Sequence, residues 1–168
     1  MESKIILRKC KPSDKSNLVK LANNIKIWNN LRDAMPYPYK ESDADFFINL
    51  TQNVKPQQHF GIESDGEFVG VISIEKQSDI YSKSAEIGYW IGEPFWGKGI
   101  ATHAVRQIIK YGFENLEVER IYTGVFENNI ASMKILKKNG FLEEGIFKKA
   151  IYKNEVFMDE YRFGILKK

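Results

Sequence analysis

Trp96-Gly97-Lys98-Gly99-Ile100-Ala101 follows a strand-like run, Ala85 to Ile91, and opens a long helical pattern beginning near Gly97. Small residues let a backbone approach a ligand closely. The first N–H groups of a helix lack partners inside it and point outward, with the positive end of the dipole behind them. Strand, glycine turn and helix start in this order predict a seat for the phosphates of an anionic cofactor. Glycine spacing separates the candidates. A nucleotide P-loop needs Gly-x4-Gly-Lys-Ser/Thr, and no such run occurs. A dinucleotide fingerprint needs a third glycine where Thr102 stands. Glu117 and Glu119, near the required acidic distance, precede the next strand instead of ending it.

Length and composition set the frame. A chain of 168 residues suffices for one domain, burying roughly 70% of its unfolded surface. Apolar content of 43% and charged content of 28% are those of a soluble globular protein. No segment approaches the ~20 apolar residues of a membrane span. Met1-Glu2-Ser3-Lys4 carries no signal-like apolar run, so a cytoplasmic protein is expected. Net charge is only +3, with lysines scattered among acids, unlike the basic stripe of a nucleic-acid binder. His59 and His103 show no triad or zinc spacing, so no metal is expected and both read as surface or edge residues. Cys10 has no disulfide partner. Lys9 and Lys11 beside it leave a reactive thiol conceivable, against the plainer reading of an incidental cysteine ending the first strand.

Periodicity lays out the rest of the chain. Ile5 to Lys9 reads as a strand, and Pro12-Ser13-Asp14 opens a helix to about Asn23. Met35-Pro36-Tyr37-Pro38-Tyr39 breaks the chain before a helix running from Glu41 towards Pro56. His59 to Glu63 and Glu67 to Glu75 form a hairpin through Asp65-Gly66, and Gln77 to Ser82 turns into the strand of Glu86. A helix from Gly97 to Asn115, a strand from Arg120 to Phe126 and a helix from Asn129 to Asn139 follow. Phe141 to Tyr152 and Val156 to Leu166 close the chain as strands about a Lys153-Asn154-Glu155 turn.

The motifs in this order resemble those of the GCN5-related N-acetyltransferases, in particular the RimJ/RimL-like branch that acetylates ribosomal proteins. Ala85-Glu86-Ile87-Gly88-Tyr89-Trp90-Ile91 looks like that family's fourth strand and Trp96 to Ala101 like its pyrophosphate loop. Asn129-Ile130-Ala131-Ser132 followed by Lys138-Asn139-Gly140-Phe141 is similar to its second cofactor motif. Met35 to Tyr39 and Ala44-Asp45-Phe46-Phe47-Ile48 resemble the Pro-x-Pro-Tyr segment and second helix of the branch. Each motif is modest alone; order and spacing together are specific. The resemblance implies a single α/β (α+β) domain over residues 1–168. Its sheet would be mixed, mostly antiparallel and twisted, with about seven strands and four helices, and with central strands splayed for a coenzyme.

It implies acetyl-CoA as co-substrate, held by Tyr89, Trp90 and Ile91 on the strand edge, by Trp96, Gly97, Lys98, Gly99, Ile100, Ala101 and Thr102 at the loop, and by Asn129 and Ser132. An unpaired strand edge costs free energy unless something bonds to it, so the amide-bearing arm acts as a short extra strand. The family's usual Gln or Arg at the loop start is Trp96 here, which shifts the work to backbone donors and Lys98. Lys134, Lys137 or Lys138 are candidates for the 3′-phosphate, against a reading as solvated helix lysines. Glu86 is the candidate base for an amine attacking the acetyl carbonyl, with a structural carboxylate as the alternative. Leu136 stands where many relatives place the tyrosine that serves the leaving thiolate. Ser132 is then the remaining hydroxyl on the matching helix, with capping its alternative role. Trp28, Tyr37, Tyr39 and Phe46 are expected to wall the acceptor pocket or to pack in the core.

The acceptor implied first is a protein N-terminal amine; small amines, amino acids and antibiotics are alternatives within the same family. A non-catalytic CoA-binding module is the alternative of another class, because both the loop Gln/Arg and the helix Tyr are replaced. A homodimer is left open by the sequence.

Overall fold

The computed structural model describes residues 4–168; Met1 to Ser3, read above for a leader segment, lie outside the described residues. Alternation of apolar and polar residues produces strands where expected. Asp65 (φ 50°) and Gly66 (φ 89°) turn β2 (His59–Ser64) into β3 (Glu67–Lys76), the left-handed pair that a two-residue hairpin needs. Asn154 and Glu155, also at positive φ, turn β6 (Leu142–Lys153) into β7 (Val156–Leu166). With β1 (Ile5–Arg8), β4 (Ser84–Ile91) and β5 (Arg120–Phe126), the seven strands found among the described residues form one sheet in the order β1-β2-β3-β4-β5-β7-β6. All neighbours pair antiparallel except β4 and β5.

Helices cover the sheet in two groups. The amphipathic α4 (Ile100–Asn115) and α5 (Ile130–Lys138) bury Ile100, Ala104, Val105, Ile108, Met133 and Leu136 in one core with Ile72, Ile74, Ile87, Ile121 and Phe163. Three helices, α1 (Lys15–Ala22), α2 (Ile25–Trp28) and α3 (Glu41–Asn53), share a second core, where Leu18, Ala22, Ile27, Ala44 and Ile48 meet Phe68 and Trp90. Four helices were expected. The fifth, α2, is a single turn held by the Asn24 side chain accepting from the Lys26 N–H at 2.9 Å. A 3₁₀ turn over Pro12–Asp14 precedes α1, so the proline opens a tighter turn before the α-helix proper.

Cys10 belongs to the second core at 1% exposure, its backbone N–H donating to the Thr51 hydroxyl at 3.1 Å. Burial, with the Asp14 charge, pushes its thiol up to about 12 against the opposing pull of Arg8, so Cys10 is a core residue and not a reactive one. Native protein at pH 8 is therefore expected to react with an aromatic disulfide reagent no faster than it unfolds, whereas denaturant should release one rapidly reacting thiol.

Candidate active site

β4 and β5 are parallel partners only from Ser84, Ala85 and Glu86 to Arg120, Ile121 and Tyr122. Beyond that point β4 continues to Ile91 along β3 and β5 continues to Phe126 along β7. The facing edges, Ile87–Ile91 and Thr123–Phe126, are thus left without each other's backbone groups. α5 enters this gap: its Ser132 hydroxyl and the Tyr89 hydroxyl of β4 are hydrogen-bonded at 2.8 Å.

A cavity of about 610 Å³ occupies one side of the opening. Gly97 (φ 74°) and Gly99 (φ 76°) both lie in the left-handed region, and a Cβ added at Gly97 would meet nothing within 4 Å. Glycine is needed there for backbone conformation, and the space beside it stays free. Gly99 is the N-cap of α4 and brings no side chain to the first N–H groups of Ile100, Ala101 and Thr102, which line the cavity. The N-terminus of α5 faces the same cavity through Asn129, whose side chain accepts from the Ser132 N–H at 3.2 Å. Two helix N-termini and the side chains of Lys134 and Lys138 make this wall suited to anionic oxygens. Trp96 also lines the cavity, its indole N–H donating to the Ile91 carbonyl at 2.6 Å and so tying the loop to the end of β4. Lys98 lies 5.3 Å over the Phe95 ring and is not among the cavity-lining residues; Lys137 pairs with Glu143 at 3.4 Å.

A second cavity, about 460 Å³, continues beneath the α1–α3 layer. Glu86, Glu75, His59, Arg32, Met35 and Phe47 line it. The Arg32 guanidinium donates to the Glu86 carboxylate. His59, expected at the surface or an edge, is half-buried at the start of β2, paired with Ser73 of β3 but beyond the pairing with β1, and lies edge-on to Phe47 at 6.3 Å. Burial holds its imidazole below the usual range, favouring the neutral ring. Asn30, Leu31, Tyr89, Trp90, Asn129 and Ser132 line both cavities, so the two meet at the hydroxyl pair.

The aromatic residues read as an acceptor wall lie elsewhere. Tyr39 is buried in the second core, and Phe46 is 70% exposed while its neighbour Phe47 faces the cavity. Trp28 and Tyr37 stack at 5.3 Å outside both cavities. Sequence reasoning missed Arg32, Met35 and Phe47, which only the fold brings to Glu86. It also assigned Tyr89 a strand-edge role without its hydroxyl. Desolvation pushes that phenol up to about 12, so it stays protonated and can donate to Ser132. No cluster of three His, Cys, Asp or Glu that could hold a metal occurs among the described residues, and no helix there is long and apolar enough to cross a membrane.

A split mixed sheet with a glycine-rich loop feeding a helix at the split defines an acyl-transferase architecture. The chain belongs to the acetyltransferase (GNAT) domain family, whose model matches residues 4–142. It is 38% identical over 112 residues to the probable N-acetyltransferase YjcK of Bacillus subtilis (strain 168), covering 66% of this chain and 62% of that one. The match thus spans less than two thirds of that protein's own length. It is 30% identical over 140 residues to the ribosomal-protein-serine acetyltransferase of Escherichia coli (strain K12), covering 80% and 76%. Among solved structures, Mycobacterium smegmatis RimJ in complex with CoA-disulfide aligns with a TM-score of 0.84 at 25% identity, over 96% of this chain and 81% of that one.

Tyr89→Phe keeps the ring and removes only the bond to Ser132. Its unfolding free energy in urea is expected to fall by about 1 kcal/mol, the net worth of one such hydrogen bond.

Proposed function

We propose that the chain, as a single domain over residues 1–168, transfers acetyl from acetyl-CoA to a protein N-terminal amine in the cytoplasm. The observation carrying this reading is the early end of β4–β5 pairing, with a phosphate-suited loop on one side, Glu86 on the other and a hydroxyl pair between. The free edges of Tyr89–Ile91 and Thr123–Phe126 suit the amide-bearing arm, and Gly97 to Thr102 suit the pyrophosphate. Lys134 or Lys138 is the better-placed partner for the 3′-phosphate. Acetyl-CoA supplies the activated acyl group when bound.

This chain's own residues then have three tasks. Glu86 attracts the acceptor ammonium and accepts its proton, directly or through water, once Arg32 yields its place. Tyr89 donates to Ser132, which turns the Ser132 hydroxyl proton towards the sulfur that must leave. The α4 and α5 N-termini hold the anionic end. An α-amino group with a pKa near 7.7 to 8.0 is already about 10 to 20% neutral at pH 7, and a lysine side chain below about 0.1%. The first asks far less of a single carboxylate that is shared with an arginine. The Escherichia coli relative, a ribosomal-protein-serine acetyltransferase, supports a protein as the acceptor.

The test is acetyl-CoA-dependent mass gain across N-terminal peptides, polyamines, amino acids and aminoglycosides, with thiol release followed in parallel. Peptides with a free N-terminus are expected to be acetylated in preference to the rest; acetylation confined to polyamines would overturn the acceptor. Glu86→Gln is expected to lower kcat/KM about 100-fold at pH 7. That loss should narrow above pH 8, where the α-amine is already neutral, and wild-type rates at every pH would remove Glu86 from the mechanism. Gly99→Trp, placing bulk at the loop, should abolish acetyl-CoA binding by calorimetry in a variant that still melts cooperatively.

A further inference from the structure

Lys153 was read only as part of the turn between the last two strands; its side chain is 3% exposed. Its ammonium sits 3.5 Å from the centroid of the Trp28 ring and 2.7 Å from Asp33 Oδ1. The neighbouring Asn154 side chain donates to Asn29 Oδ1 at 3.1 Å. These contacts join residues 120 and 125 positions apart in sequence. They also join the two limbs of the split sheet. β7 runs past Phe126, the free end of β5, so the β6–β7 turn stands at the open mouth, while Trp28 to Asp33 belongs to the layer packed over β3 and β4.

The attachment points are informative. Asn29 and Asp33 bracket Asn30, Leu31 and Arg32. Asn30 and Leu31 line both cavities, and Arg32 bonds Glu86. The β6–β7 turn therefore grips both ends of the segment that walls the junction. A desolvated ammonium is tolerated only with compensation. Here the ring face and the carboxylate supply it, and together they are directional in a way that an apolar contact is not.

We propose that Lys153 is a positioning residue for the acceptor site, clamping the Asn29–Asp33 turn across the mouth of the split sheet so that Arg32 and Leu31 hold their places beside Glu86. The kinetic consequence rests on the transferase reading above; the clamp itself does not. Trp28 then buttresses the acceptor wall from behind instead of forming it.

Lys153→Met keeps the apolar stem and removes the ammonium. Amide hydrogen exchange across residues 29–35 is expected to accelerate about tenfold while α4 keeps its wild-type rates. KM for a tetrapeptide with a free N-terminal serine should rise about tenfold with KM for acetyl-CoA nearly unchanged, the mark of a lost acceptor-side interaction. Asp33→Asn, made at the exposed end of the same pair, should move both readouts in the same direction. The double variant should be no worse than Lys153→Met, since that variant has already lost the pairing with Asp33. Lys153→Arg, which can stack and pair, should preserve peptide KM. Unchanged exchange over 29–35 in both single variants would overturn the clamp. Faster exchange with equal changes in both KM values would overturn the positioning role. A wild-type protein that acetylates no peptide refutes the peptide-acceptor reading, and exchange still decides the clamp.

Discussion

Everything at this site follows from a backbone ladder that stops early. Parallel pairing of β4 with β5 ends after Glu86 and Tyr122, although both strands continue along their outer partners. Buried amides and carbonyls without partners are costly, and a sheet interior offers them no water-filled alternative by default. The free edges are tolerable because the gap is a cavity that solvent, or a ligand with its own amides, can reach. Binding of such a ligand restores pairing that the fold withholds, so affinity is built into the backbone before any side chain contributes.

The split has consequences for packing. Each face of the sheet carries its own helical cover: α4 and α5 on one, α1 to α3 on the other. β4 serves both, with Ile87 and Ile91 in the first core and Trp90 in the second. This alternation lets a strand with a free edge remain fixed, because burial on both faces substitutes for the missing ladder. Tyr89 belongs to the same alternation: packed against the first core, its hydroxyl still reaches Ser132 at the far side of the gap.

Features legible in the sequence were those fixed within a few residues. Asp65-Gly66, the two loop glycines, the helix start at Asn129 and the bounds of β5 each follow from local backbone chemistry, and the structure has them in place. Tyr39 and Phe46 show the limit. Aromatic residues near a proline segment fit a pocket or a core equally well, and helical phase decides which of Phe46 and Phe47 faces inward. Arg32 meets Glu86 across 54 residues and Lys153 meets Asp33 across 120, separations over which composition and periodicity carry no information.

Those long-range contacts distinguish the stability of the fold from the accuracy of the site. The two cores bury large aliphatic side chains at many positions, and loss of one polar contact removes only about 0.5–1.5 kcal/mol from such a structure. Position at the mouth of the split has far less redundancy. The Tyr89–Ser132 bond ties α5 to β4 within the gap, and Lys153 with Asn154 ties the β6–β7 turn to the α2 side. A displacement of about 1 Å between reacting groups can cost on the order of 100-fold in rate, while a fold stabilised by two cores would scarcely register it. The side chains that align acceptor with donor can therefore be few, polar and distant in sequence, and a chain can lose them and remain folded.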